Sequence, residues 1–151
     1  MHWLMKLGLL AGAWEGAWWL RRREKRADTF VQARTRAAML GRPLVVVGAP
    51  DGGVTAGYGC GDVTVDLATL SACSPYLSAD VTKPLPFADD SCVVFVSCVL
   101  EYVDDYEGAY SELRRIAGEN LFIVRVEPWS ATAYLYPGAK RTLPASLPGV
   151  R

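Results

Sequence analysis

Histidine is almost missing from this 151-residue chain: there is one, His2. A body without imidazole argues against a Ser-His-Asp hydrolase, a Cys-His protease and a His-based metal centre. Cysteine is sparse as well. The four present, Cys60, Cys73, Cys92 and Cys98, form no C-x-x-C pair. They read as reduced, buried, hydrophobe-like residues rather than as disulfide partners or metal ligands. Neither sign of charge prevails, since sixteen Lys/Arg balance sixteen Asp/Glu. The balance hides a split: residues 1–42 hold nine basic against three acidic residues, and residues 43–151 hold seven against thirteen. A basic front and an acidic body suggest two different jobs. With 51% hydrophobic residues and no excess of glycine or proline, the chain is not a disordered one. Its length suits a single domain with a real core.

The basic front begins with an apolar stretch, "WLMKLGLLAGAWEGAWWL", Trp3 to Leu20. As a helix these residues reach about 27 Å, close to the hydrocarbon thickness of a bilayer. Tryptophans stand at both ends, where amphipathic rings favour the interface. Gly8, Gly12 and Gly16 recur every fourth residue, a face along which two such helices could approach closely. "RRREKR", Arg21 to Arg26, follows, and positive charge beside a short span marks the cytoplasmic side. A membrane span, a helix lying in the interface and a soluble helix packed on the body all fit the pattern. The expectation is membrane association through residues 3–20, with the body facing the cytoplasm. Nucleic acid is not an expected partner, because no aromatic stacking platform accompanies the basic run.

In the body, Asp28 is placed to cap a helix over "TFVQARTRAAML" that stops at Gly41. "LVVVGAP" (44–50), "VTVDLA" (63–68), "YLSADV" (76–81), "CVVFVSCVL" (92–100) and "NLFIVRVEP" (120–128) read as strands. "YEGAYSELRRIAG" (106–118) reads as a helix with Gly118 as its stop. Strands alternating with helices and turns predict an open α/β sheet, with ligands bound outside the carboxyl ends of the strands. The acidic residues Asp66, Asp80 and Glu101 to Asp105 fall at or just past those ends. Asp89-Asp90 reads as a solvated turn, and Asp104-Asp105 as a helix cap. The turn "GAPDGG", Gly48 to Gly53, allows the backbone close to a ligand. The chain thus divides into residues 1–27, an anchor helix with a basic flank; 28–128, the α/β domain; and 129–151, a proline-rich tail that could lie along another surface.

The ordered series over residues 44–128 is more specific. "LVVVGAPDGG", Asp66, Asp80, Leu85-Pro86-Phe87, Asp89-Asp90-Ser91, Leu100-Glu101, Asp104 and Glu112-Leu113-Arg114-Arg115 resembles class I S-adenosylmethionine-dependent methyltransferases, particularly the type 11 group. The resemblance implies a Rossmann-like, mostly parallel sheet of about five strands, without the family's usual C-terminal edge strands. It implies S-adenosylmethionine as cofactor. Gly48 and Gly52 would lie against its methionine part, Asp66 would hold the ribose hydroxyls, and Asp80 the adenine amino group with Val81 beside the ring. Ser97 and Cys98 would line the floor near the sulfonium. No metal is implied, and no catalytic residue is identified. Val46 stands where the family carries an acidic residue on the first strand, and Pro50 replaces the loop's middle glycine. Two functions follow: transfer of a methyl group to a small-molecule or lipid-linked substrate, or an inactive methyltransferase-fold module that serves assembly at a membrane or in a larger complex.

Overall fold

The computed structural model describes residues 2–48, 56–67, 72–129 and 138–151. Its first element, α1 (His2–Leu40), is one helix of 39 residues, roughly 58 Å long at 1.5 Å per residue. Asp28 lies inside this helix and caps nothing, contrary to the sequence expectation. The reason is local. Residues 17–40 contain neither Gly nor Pro and are dominated by Arg, Ala and other good helix formers, so nothing interrupts the ladder. Gly41, at φ 63°, ends it.

The two halves of α1 live in different surroundings. Thr29, Ala33 and Ala37, spaced by four, are buried against the sheet, and their small size lets the helix approach it closely. Toward the N-terminus Leu7, Leu9, Leu10, Trp14 and Leu20 are exposed. A Cβ built on Gly8, Gly12 or Gly16 would meet nothing within 4 Å. Among the described residues no helix is long and apolar enough to cross a membrane. Lys6, Glu15 and the interspersed glycines dilute the leucines.

Five short strands follow: β1 (Leu44–Val47), β2 (Val63–Asp66), β3 (Tyr76–Ser78), β4 (Val93–Ser97) and β5 (Leu121–Val124). Each lies within a segment predicted as a strand. They form one parallel sheet in the order β3-β2-β1-β4-β5. The class is α/β, as the alternating pattern predicts. Between β4 and β5 runs α2 (Tyr106–Ala117), the second predicted helix, with Asp105 as its N-cap and Gly118 after its last turn.

Because the central strands are buried on both faces, they read as continuous aliphatic runs. Val45, Val47, Val94 and Val96 pack with Leu113 and Ile116 of α2 on one face. Leu44, Val46, Val93 and Phe95 pack with Ala33 and Ala37 of α1 on the other. On the α1 side Phe95 meets Phe30 edge-on at 5.5 Å and Tyr58 at 5.0 Å between centroids.

Two connections depart from expectation. Cys60 and Cys73, expected reduced, form a disulfide with Cα atoms 5.5 Å apart. Each cysteine stands three residues ahead of its strand, and β2 and β3 are parallel neighbours, so their entry points meet. The tail lies on the chain's own sheet. Leu143 is buried, Arg125 donates to its carbonyl at 2.6 Å, and Val150 forms a parallel bridge to Ile123 on the outer edge of β5. The tail segment "TAYLY", which at best could add one short strand, falls outside the described residues.

Phe95→Ala removes the ring at the centre of the α1 face and is expected to cost about 3–5 kcal/mol of unfolding free energy, measured by urea denaturation. A loss below about 1 kcal/mol would contradict the packing of α1 on this face.

Candidate functional site

In the order β3-β2-β1-β4-β5 the chain moves outward from β1 in one direction, then returns to β1's other side at β4. The connections at the carboxyl ends of β1 and β4 therefore leave in opposite directions, and a crevice opens between them. A cleft of about 490 Å³ lies there, inside the range of small-molecule sites. Gly48, Asp66, Asp80, Val81 and Cys98 line it, joined by Tyr102, Asp104 and Lys140. Five of the seven residues singled out from the sequence are thus brought to one cavity. Gly52 lies outside the described residues.

Each lining residue has a local reason for its place. Gly48 closes β1 at φ 93°, and a Cβ there would come within 2.8 Å of the Val99 side chain. Only glycine fits that turn. Asp66 ends β2, with its backbone carbonyl accepting from the Ala79 N–H at 3.0 Å and the Tyr76 hydroxyl at 3.2 Å. Asp80 follows β3 and accepts at Oδ1 from the Thr82 N–H (2.9 Å) and the Thr82 hydroxyl (2.8 Å). Those two bonds hold its pKa below the usual carboxylate range, so Asp80 is an anion at neutral pH. Val81 is buried beside it.

Ser97 does not join them. Alternation along β4 puts it on the face of Phe95, toward α1, where it is buried and its hydroxyl contacts the Cys98 sulfur at 3.8 Å. Cys98 itself turns back to the cleft at φ 53°, an uncommon conformation for a side-chain-bearing residue. Its thiol accepts from Arg26 Nη2 at 3.1 Å. Burial pushes the Cys98 pKa up, against the opposing pull of Arg26, so the group is a neutral thiol rather than a nucleophile.

Three features escaped the sequence reading. Arg26, assigned to a membrane flank, donates to the sulfur of Cys98, which lines the cleft. Lys140, in the tail, pairs with Asp104 and donates its backbone N–H to the Glu101 carbonyl at 2.8 Å, so the tail forms one wall. Neither has a local signal, because both depend on residues 36 to 72 positions away. The third is the buried role of Glu101, read from the sequence only as one of the acidic residues past a strand end. Glu101 is almost fully buried; Oε1 accepts from the Val126 N–H at 2.7 Å, and Oε2 has no partner among the described residues. It ties the end of β4 to the chain leaving β5.

The paired aspartates resolve into structural roles. Asp105 Oδ1 accepts from the Gly108 N–H at 2.8 Å as the cap of α2. Asp89 pairs with Arg115 at 2.7 Å and Asp90 with Arg42 at 2.8 Å. No protein-family model, curated protein or solved structure matches the chain.

Burial raises the Glu101 pKa, with the Val126 bond and the Arg26 and Arg125 charges opposing. A raised carboxyl pKa contributes stability that is present below the unfolded-state value and is lost as pH rises through the folded value. Glu101→Gln removes the titration, so its melting temperature should gain on the wild type as pH climbs from about 4 to about 8. A difference that stays flat with pH would show that Glu101 is not held neutral.

Proposed function

We propose that the chain is a methyltransferase-like protein that binds S-adenosylmethionine in the cleft between β1 and β4. One observation carries the reading: Gly48, Asp66 and Asp80 stand in chain order at the ends of β1, β2 and β3, lining a single cavity. The residues suit the group. Gly48 turns the backbone at the edge of the cleft, and two carboxylates at the ends of neighbouring strands suit a donor-rich ribose and an adenine amino group. When bound, the cofactor supplies an electrophilic methyl group.

The chain's own contribution would be positioning and exclusion of water. Asp66 and Asp80 orient the nucleoside, Val81 flanks its ring, and Cys98 with Val99 forms an uncharged floor. Lys140 and Tyr102 border the side left for an acceptor. Proton removal is the weak point. Asp105 is committed to its cap, and Lys140 holds Asp104 well below the usual carboxylate range. Neither is free to take a proton from an acceptor, so a substrate acidic enough to lose its own proton fits best.

Residues 3–20 are proposed to lie at a membrane surface, which would favour a lipid-linked acceptor, with the body on the cytoplasmic side. The open face at Gly8, Gly12 and Gly16 is the proposed route of self-association. A second reading, an inactive module, is favoured by Val46, which is fully buried between Thr64 and Phe95 and holds no acidic anchor.

Titration calorimetry with S-adenosylmethionine and S-adenosylhomocysteine separates the two. The expected outcome is micromolar binding that Asp66→Ala weakens by about 10- to 100-fold, the worth of a charged hydrogen bond. A folded sample that binds neither compound at millimolar concentration would leave the inactive module as the function.

A further inference from the structure

Methyl transfer uses nothing on the far side of β5. There α1, the residues after β5 and the tail enclose a second cavity of about 600 Å³. Trp18, Arg21, Arg22 and Lys25 are among its α1 residues, and Arg125 and Glu127 line it as well. At 3.6 residues per turn these four α1 positions share one helix face. The same face continues toward the N-terminus through Leu7 and Trp14, which are 54% and 57% exposed. An apolar stripe therefore runs directly into a polar groove.

The groove's charge is unbalanced. Its lining holds five Lys/Arg against three Asp/Glu. Glu127 is shared, 2.8 Å from Lys25 and 3.7 Å from Arg125. The Arg21 guanidinium is held over the Trp18 ring at 5.8 Å, and it pairs with no carboxylate among the described residues. Guanidinium groups lining one groove beside an indole suit a phosphate bordered by a surface that tolerates hydrocarbon.

We infer that this groove binds the phosphate headgroup of an anionic lipid, with the acyl chains following the Leu7–Trp14–Trp18 stripe. The inference rests on the membrane-surface reading of residues 3–20 and is independent of methyl transfer. It differs from simple attraction between a basic run and an anionic surface because it separates residues within "RRREKR". Arg21, Arg22 and Lys25 line the groove, whereas Arg23 lies on another face of α1 and is exposed.

The test is co-sedimentation of the full chain with vesicles of phosphatidylglycerol in phosphatidylcholine, against phosphatidylcholine alone. Binding should require the anionic lipid. Arg21→Gln and Lys25→Gln should each weaken it about fivefold, the usual weight of one basic residue at such a surface. Arg23→Gln, with the same loss of charge, should change it less than twofold, as should glycerol phosphate in millimolar excess. Retained melting temperatures exclude misfolding as the cause. Equal losses for all three substitutions would overturn the groove and leave only diffuse attraction. Equal binding to both vesicle types would overturn it too, while upholding the membrane reading of residues 3–20. Displacement by glycerol phosphate would reassign the site to a soluble phosphate ester. Absence of binding to either vesicle would overturn both readings.

Discussion

Everything in this molecule hangs on the burial of β1 between two parallel partners. Leu44 to Val47 are fully buried, with Val45 beside Val63 on one side and Val94 on the other. A strand held on both edges and covered on both faces must be aliphatic throughout and cannot carry the polar groups of a site. Function is displaced to its end, where Gly48 bends the chain away and the connections on either side part. The cleft is a consequence of strand order. The polar residues that line it lie at the sheet's margin because the sheet's interior cannot hold them.

The second constraint is a clamp that explains the most recognisable stretch of sequence. Glu112 and Arg115, one turn apart on α2, are joined by two hydrogen bonds of 2.9 and 2.6 Å. From there Glu112 accepts from the Leu85 N–H at 2.6 Å, while Arg115 donates to the Phe87 carbonyl at 2.9 Å and reaches Asp89. The Glu-Leu-Arg-Arg helix and the Leu-Pro-Phe turn are thus two halves of one structural joint, with Leu85 buried beneath it. They form a structural joint and do not line the cleft. The proposed cofactor site rests instead on Gly48, Asp66 and Asp80, which line the cleft.

How much of this was legible in the sequence follows the range of the interactions. Buried apolar runs announced β1, β4 and β5, because burial on two faces leaves a local trace, whereas the shorter, partly exposed β2 and β3 carry a weaker one. The amphipathic spacing of Tyr106, Tyr110, Leu113 and Ala117, with Asp105 before the helix and Gly118 after it, marked α2 for the same reason. Asp66 and Asp80 were legible as strand-end carboxylates, since strand ends are local too. What failed was non-local or depended on an absent signal. Asp28 resembled a cap, but a cap needs a break in the helix, and none was encoded. Ser97 was put at the cleft when the alternation of its strand points it toward α1. Cys60 and Cys73 meet only because two strands are parallel neighbours. Lys140 joins the cleft only because the tail returns along β5 instead of seeking another surface.

The most direct test of the central claim is a crystal structure of the chain grown with S-adenosylhomocysteine. The account predicts the nucleoside between β1 and β4, its ribose hydroxyls at the Asp66 carboxylate, its adenine amino group at Asp80, and its sulfur near Cys98. A fully ordered cleft without ligand at saturating concentration, or a ligand bound elsewhere on the chain, would contradict it.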